Sequence, residues 1–202
     1  MKQWIRTLCA AAFLFAAGNA HADVDGAKTF VDTVAKQVLD ILKTSEPAAQ
    51  KQKQLVPIFS NKVDTNFVAK FVLGQNWRTA TPQQQQEYLT AYGPFVINNY
   101  ANKLTHYSGQ QYTLTNARQD SDGSYLVTMH ISGGDAGDAN IDYRLRQGGG
   151  GYQLIDIVIE GVSLLTTQRS EFNGIVQNKG MDYLITQLKA STAKNSASAS
   201  AQ

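Results

Sequence analysis

The spacing of the apolar residues changes twice along this chain, and that change decides which elements it can form. Up to Leu104 apolar residues recur every three or four positions, the spacing of one face of an α-helix. From Tyr112 to Ile159 they alternate with polar residues, as in half-buried β-strands, and from Leu164 to Leu188 the helical spacing returns. Helices first, then a run of strands, then helices again: this order of elements predicts an α+β domain in which a helical layer covers one face of a curved, four-stranded antiparallel sheet.

Local signals predict where several of these elements begin and end. The segment Thr81 to Gln84 has the pattern of a capping box with proline at the first helical position, so a long helix should begin there. Gly74 is expected to end the preceding helix, and Ser163 to cap a later one. Asp122-Gly123 predicts a turn between the first two strands, and the glycines at 148–151 predict another between the last two.

The N-terminus has the pattern of a cleavable export signal. A basic start is followed by an apolar run from Leu8 to Ala17 and by the small-residue cleavage site Ala20-His21-Ala22. The apolar run is too short to cross a bilayer of about 30 Å, and no later segment offers the ~20 consecutive apolar residues that a spanning helix needs. We therefore expect residues 1–22 to be removed and the mature chain to begin at Asp23.

Composition narrows the possible functions of the mature chain. Its single cysteine, Cys9, lies in the signal, which excludes thiol catalysis, disulfides and thiolate metal sites. Loss of Lys2 and Arg6 lowers the Lys and Arg count from 18 to 16, equal to the 16 Asp and Glu residues. A neutral surface argues against nucleic acid as a partner. We expect one domain over residues 23–189 and a disordered tail over 190–202, where Ala, Ser, Lys and Asn lack periodicity.

The chain offers few groups for chemistry. Gly161-Val162-Ser163 begins like a nucleophile elbow, but position 165 is leucine, so a helix cap is the better interpretation. His106 and His130 do not have a metal-binding spacing, and His130 falls on the polar face of its strand. Asp156 and Glu160, set among isoleucines and valines, could form an acid–base pair if their side chains face each other and their pKa values are separated.

Three blocks of sequence carry a resemblance to a known family. They are Phe71 to Gln85, with Leu-Gly-x-x-Trp-Arg-x-Ala-x-Pro, then Asp142 to Leu145, and finally Ile157 to Leu164 together with Gln168 to Phe172. In combination these blocks resemble the MlaC family, also called the toluene-tolerance or Ttg2D family, of periplasmic phospholipid-binding proteins. The resemblance is collinear over nearly all of the expected mature chain.

The resemblance implies both a fold and a role. The implied fold is a helical layer on a curved sheet of NTF2-like shape, with the acyl chains of a glycerophospholipid in a cavity between the layers. The implied role is a monomeric shuttle in the Gram-negative periplasm that needs no cofactor and maintains outer-membrane lipid asymmetry. Its implied partners are an outer-membrane lipoprotein–porin complex and an inner-membrane ABC transporter with an MCE-domain subunit.

A pocket for acyl chains should be lined by apolar, adaptable side chains. Strand parity and helix phase select the following candidates for lipid contact: Phe71, Phe95, Met129, Ile131, Tyr143, Ile157 and Val162. Two other classes of protein stay open on the residues alone. One is an NTF2-like cavity enzyme that uses Asp156 and Glu160, and the other is a module whose apolar face docks another protein.

Overall fold

A computed structural model describes residues 19–105, 109–133, 137–148 and 150–198. This part of the chain forms seven helices and one antiparallel sheet of five strands. Their order is α1 (Asn19–Leu42), α2 (Ala48–Lys62), α3 (Thr65–Leu73), α4 (Gln75–Thr79), α5 (Pro82–Leu104), β1 (Gln111–Gln119), β2 (Tyr125–Ser132), β3 (Ala139–Gly148), β4 (Gly151–Ile159), β5 (Val162–Ser163), α6 (Leu164–Lys179) and α7 (Met181–Ser198). The predicted α+β class is confirmed.

The helix ends follow from local hydrogen bonding. The Thr81 hydroxyl accepts a hydrogen bond from the Gln84 amide at 3.2 Å, and the Gln84 side chain accepts one from the Thr81 amide at 3.1 Å, so the predicted capping box begins α5. Gly74 ends α3 with a φ of 55°, where a side chain would be strained. Helix α4 was not predicted, because five residues are too few to show a period.

The sheet has five strands in the order β1-β2-β3-β4-β5, so the prediction of four strands was wrong by one. The additional strand is only Val162–Ser163, which pairs with Val158 and Ile159 after a tight turn at Glu160-Gly161. Two residues are too few to show an alternating pattern. The second of them also caps α6, since the Ser163 hydroxyl accepts a hydrogen bond from the Thr166 amide at 3.0 Å as predicted.

The core consists of separate clusters on the sheet and among the helices. Helix α1 covers β1 and β2 and forms a cluster with the sheet: Ala27, Val31, Tyr125, Val127, Met129 and Leu145. Helices α3, α5, α6 and α7 form a second cluster around Tyr88, Tyr92 and Phe172, to which β4 contributes Ile155. A third cluster joins α1, α2 and α5 through Val38, Leu42, Leu55 and Ala101.

The junction between α2 and α3 ties the helices to β4. Val63 forms a parallel bridge with Leu154, and the Asp64 amide donates a hydrogen bond to the Leu154 carbonyl at 3.0 Å. The Asp64 carboxylate caps α3 by accepting from the Phe67 amide at 3.0 Å and pairs with Arg146 Nε at 2.7 Å. The edge of β4 that does not pair with β3 is therefore held at two places. Val63 and Asp64 bind it at Leu154, and β5 pairs with it at Val158 and Ile159.

Helix α7 extends to Ser198, whereas the composition predicts a disordered tail from residue 190. The alanines at 190, 193 and 197 favour helix, and this preference outweighs the lack of an apolar stripe. The greater part of the expected signal, with Cys9, lies outside the described residues, as does His106. No helix in the described ranges combines the length and hydropathy required to cross a bilayer.

Candidate functional site

One face of the sheet is apolar across four strands. Residues opposite each other in antiparallel strands place their side chains on the same face. One row pairs Val127 with Tyr143 and Tyr143 with Ile157. The next row runs Met129, Ile141, Ile159, Val162. Together with Ile131, these residues form what we call the apolar sheet face.

Solvent exposure increases along the apolar sheet face from β2 to β5. Met129 in β2 is 4% exposed, Ile159 in β4 is 39% exposed and Val162 in β5 is 57% exposed. The reason is the position of α1, which packs on β1 and β2 and buries the Met129 end of the row. The apolar sheet face is therefore open to solvent at its β4–β5 end.

The structure brings five of the seven predicted lipid-contact residues to this face. Met129, Ile131, Tyr143 and Ile157 lie in its rows, and Val162 lies at its open end. Their assignment as lipid contacts stays a prediction. Met129 packs in the cluster with α1 and is the least exposed of the five.

Phe71 and Phe95 lie elsewhere. Phe95 packs within the helical cluster, with its ring centroid 6.4 Å from that of Tyr92 and 6.2 Å from that of Phe172. Phe71 is 38% exposed on α3, where the guanidinium carbon of Arg169 lies 5.0 Å from its ring centroid. Helix phase identifies residues that share a stripe, but it does not identify the surface that the stripe packs against.

Two residues of the face were missed as candidates. Ile141 and Ile159 occupy the same row as Met129 and have the same strand parity as Tyr143 and Ile157. The alternation along β3 and β4 was a sufficient signal for both. Because Ile159 is exposed and Ile141 is partly exposed, they offer apolar surface that Met129 does not.

Tyr143 is the polar group in the middle of this face. Its hydroxyl contacts Met129 Sδ at 3.7 Å, and a thioether is a weak acceptor. Burial raises the pKa of Tyr143 to about 12, so the phenol stays protonated at neutral pH. The apolar sheet face can therefore offer one hydrogen-bond donor to a bound molecule.

Asp156 and Glu160, the two carboxylates considered for acid–base chemistry, accept hydrogen bonds from different segments of the chain. Asp156 accepts hydrogen bonds from the Ser163 hydroxyl at 2.7 Å and the Leu165 amide at 3.0 Å, which joins β4 to the start of α6. Glu160 is exposed, and its carboxylate accepts from the Asn140 amide at the start of β3. These contacts explain both residues structurally and give no positive evidence of catalysis.

His130 has the polar role that its strand parity predicts. Its Nδ1 lies 3.1 Å from Asn140 Oδ1, on the face of β2 opposite Met129. Nε2 lies 3.8 Å from the Asp138 carboxylate. The ring joins β2 to the start of β3 and is remote from the apolar sheet face.

The surface formed by the described residues includes two clefts. One, of about 580 Å³, lies between α1 and β1 and is lined by Lys28, Thr29, Asp32, Tyr112, Thr113 and Leu114. In it the Tyr112 hydroxyl donates a hydrogen bond to Asp32 at 2.9 Å, and Lys36 pairs with the same carboxylate at 2.6 Å. A second cleft, of about 390 Å³, lies between the glycine turn and residues Phe30, Asn61 and Lys62. Neither cleft contains a predicted lipid-contact residue.

Comparison with known proteins identifies the family. The family model described as MlaC protein matches residues 32–190, which is most of the chain. The chain belongs to the MlaC family. This confirms the resemblance carried by the three sequence blocks, all of which lie inside the matched range.

Two curated MlaC-family relatives are similar along the sequence. The intermembrane phospholipid transport system binding protein MlaC of Haemophilus influenzae is 24% identical over 96% of this chain and 95% of its own length. The toluene tolerance protein ttg2D of Pseudomonas putida is 25% identical over 59% of this chain and 56% of its own length.

A solved structure shares the fold. The phospholipid-binding protein of Ralstonia solanacearum, determined in complex with a phospholipid, matches with a TM-score of 0.67 and 24% identity. The match covers 86% of this chain and 98% of that protein. This chain thus shares the arrangement of helices and sheet described above with a structure that holds a bound phospholipid.

Proposed function

We propose that this MlaC-family protein binds a phospholipid and carries it between the membranes of a Gram-negative cell envelope. The observation that carries the proposal is the apolar sheet face, which continues from the buried Met129 to the exposed Val162 in a protein of this family. A water-exposed apolar row that leads into the interior is suited to acyl chains. The fold shared with a protein in complex with a phospholipid supports this interpretation.

In this proposal the acyl chains lie along the two rows of the apolar sheet face. Ile141, Tyr143, Ile157 and Ile159 are the principal contacts, because they are apolar and retain exposed surface. The headgroup lies at the β4–β5 end, where the face meets solvent. The Tyr143 hydroxyl can donate a hydrogen bond to an ester oxygen, an acceptor stronger than the Met129 sulfur.

The energetics favour exchange with a membrane over capture from water. Each buried methylene contributes about 0.8 kcal/mol, so two chains with roughly 30 methylenes represent on the order of 24 kcal/mol relative to water. That exceeds the practical limit of non-covalent affinity, about 18–21 kcal/mol. A bilayer core already supplies the same burial, so transfer into an equally dry site is nearly neutral, and the complexes that dock the protein set its direction.

The remaining parts of the proposal concern location and partners. Export through the N-terminal signal would deliver the protein to the periplasm. There it would receive lipid from, or deliver it to, an outer-membrane lipoprotein–porin complex and an inner-membrane ABC transporter with an MCE-domain subunit. The name of the Haemophilus influenzae relative supports an intermembrane role of this kind.

Lipid extraction tests the proposal directly. The full sequence is expressed in a Gram-negative host, and the purified protein is extracted with organic solvent and analysed by mass spectrometry. We expect phospholipid at near one molecule per protein, with little headgroup preference. Protein that is folded but lipid-free, and that takes up no phospholipid from liposomes, would refute the carrier function. The same preparation, incubated with candidate substrates, would reveal turnover if the cavity-enzyme alternative were correct.

A further inference from the structure

The outer surface where α3 meets α6 has a preorganised guanidinium group. Arg169 of α6 lies over the Phe71 ring, with its Cζ 5.0 Å from the ring centroid. Its terminal nitrogen also lies against the backbone of Gly74, since a Cβ at Gly74 would be 2.7 Å from it. The absence of a side chain at position 74 therefore makes room for the arginine. Phe71 itself remains 38% exposed beneath the cation.

Arg169 makes no ion pair with any carboxylate in the described ranges. Arg146, which lies in the same way 5.0 Å from the Phe67 ring, is neutralised by Asp64 at 2.7 Å. The difference matters because both guanidinium groups stack on aromatic rings of α3, yet only Arg169 keeps its charge available. A guanidinium group that is fixed in position and has no carboxylate partner is suited to binding phosphate or carboxylate oxygens.

Further cations and another aromatic ring lie on the neighbouring residues of α3 and α4. Lys70 of α3 lies with its Nζ 5.3 Å from the Trp77 ring of α4, and α4 also carries the exposed Arg78. The sequences of α3 and α4 contain no Asp or Glu. We call the set Lys70, Phe71, Trp77, Arg78 and Arg169 the cationic aromatic surface.

We propose that the cationic aromatic surface docks the protein reversibly on anionic phospholipid headgroups at a membrane. The headgroup phosphates complement the uncompensated cations, and each Lys or Arg near an anionic bilayer contributes about 1 kcal/mol. An exposed phenylalanine ring and a half-buried indole ring next to lysine and arginine are suited to the membrane–water interface. This inference goes beyond lipid carrying, because docking needs no lipid in the apolar sheet face.

The position of the surface supports a membrane as its partner. Helix α6 begins at Leu164, two residues after Val162 at the exposed end of the apolar sheet face, and Arg169 is five residues beyond Leu164. At 1.5 Å per residue the arginine lies roughly 7.5 Å along the helix from its start. Headgroups bound at Arg169 would thus be close to the end of the face that is open to solvent.

Vesicle flotation tests the docking. The protein purified after expression of the full sequence is mixed with vesicles of phosphatidylcholine alone or with vesicles rich in phosphatidylglycerol. We expect preferential flotation with the phosphatidylglycerol vesicles, weakened by added salt. Arg169→Gln should weaken that binding about fivefold, the effect of one basic residue near an anionic surface. Phe71→Ser, which removes the 38% exposed ring beneath Arg169, should weaken it as well, and circular dichroism checks that this variant is folded.

Lys179→Gln is the matched control. Lys179 also belongs to α6 and lies 4.6 Å from an exposed aromatic ring, that of Tyr183, so the substitution removes the same charge from a similar setting. It is ten residues from Arg169, about 15 Å along the helix, which is beyond the screening length of roughly 8 Å at physiological salt. We expect it to bind vesicles as the unsubstituted protein does.

Three results would overturn the proposal. The first is equal flotation with both kinds of vesicle, and the second is an equal loss for Arg169→Gln and Lys179→Gln. The third is retention on immobilised polyglutamate without binding to phosphatidylglycerol, which would assign the surface to an acidic protein. Lipid extraction measures the bound phospholipid independently, so a protein that does not dock on vesicles can still be shown to carry lipid.

Discussion

Replacing Ile159 by glutamate tests whether the open end of the apolar sheet face holds the ligand. Ile159 is already 39% exposed, so a carboxylate there can reach water. Complete burial of an isoleucine stabilises a fold by about 1.5–3 kcal/mol. Because about three fifths of Ile159 is buried, its replacement should lower the free energy of unfolding by about 1–2 kcal/mol. This is a small part of the ~5–15 kcal/mol that stabilises a domain. We expect Ile159→Glu to fold and to lose most of its phospholipid.

The same substitution in the same row should behave differently at Met129. Met129 is 4% exposed and packs with Val31, Val127 and Leu145, so a glutamate would bury a carboxylate without a partner. That costs several kcal/mol in addition to the lost packing, enough to unfold much of the protein. Strand parity without knowledge of α1 would predict that Met129→Glu folds and only loses lipid.

The two variants are compared by thermal unfolding followed by circular dichroism and by lipid content from mass spectrometry. Tyr183→Glu serves as the control, since Tyr183 is 38% exposed on α7 and outside the apolar sheet face. Ile159→Glu with a full complement of lipid would contradict the placement of the ligand. A cooperative melt of Met129→Glu near that of the unsubstituted protein would contradict the claim that α1 closes this end of the face.

Two further predictions concern stability. Gly74→Ala places a side chain at a φ of 55° and against Arg169, which should cost about 1–3 kcal/mol; adding Arg169→Ala should relieve the steric part in a double-mutant cycle of unfolding free energies. Full additivity would contradict that contact. The pKa of Tyr143 is about 12, against about 10 in an unfolded chain, so above pH 10 the unfolded state loses its proton first and stability should fall as pH rises towards 12. Tyr143→Phe should flatten that fall, and an unchanged profile would contradict the burial of the phenol.

Much of the fold follows from short-range signals in the sequence. The capping box at Thr81, the stop at Gly74 and the cap at Ser163 each depend on residues within one turn of helix, so they could be predicted. Strand parity likewise placed Met129 and Tyr143 on one face of the sheet. These predictions hold because hydrogen bonding and side-chain alternation are local properties of the backbone.

The features that the sequence does not indicate depend on long-range packing. Nothing near Met129 in sequence indicates that α1, a hundred residues earlier, covers its end of the row. Phe71 and Phe95 share helical stripes with core residues, yet one faces solvent under Arg169 and the other packs against Phe172. The packing between the helical layer and the sheet depends on the sizes and shapes of many side chains that are distant in sequence. No short segment of sequence contains that information.

The contact between Gly74 and Arg169 links positions that are 95 residues apart in sequence, and both fall in blocks that carry the family resemblance. Their evolutionary histories should therefore be correlated. A lineage that gains a side chain at position 74 displaces the guanidinium group from Phe71, after which selection has less reason to keep arginine at position 169. Conversely, loss of the arginine removes one of the two constraints on position 74 but leaves its backbone conformation, with φ 55° and ψ −117°, which by itself still favours glycine. Among relatives, a chain with arginine at position 169 should therefore nearly always have glycine at position 74, whereas a chain with glycine at position 74 should have arginine at position 169 less consistently.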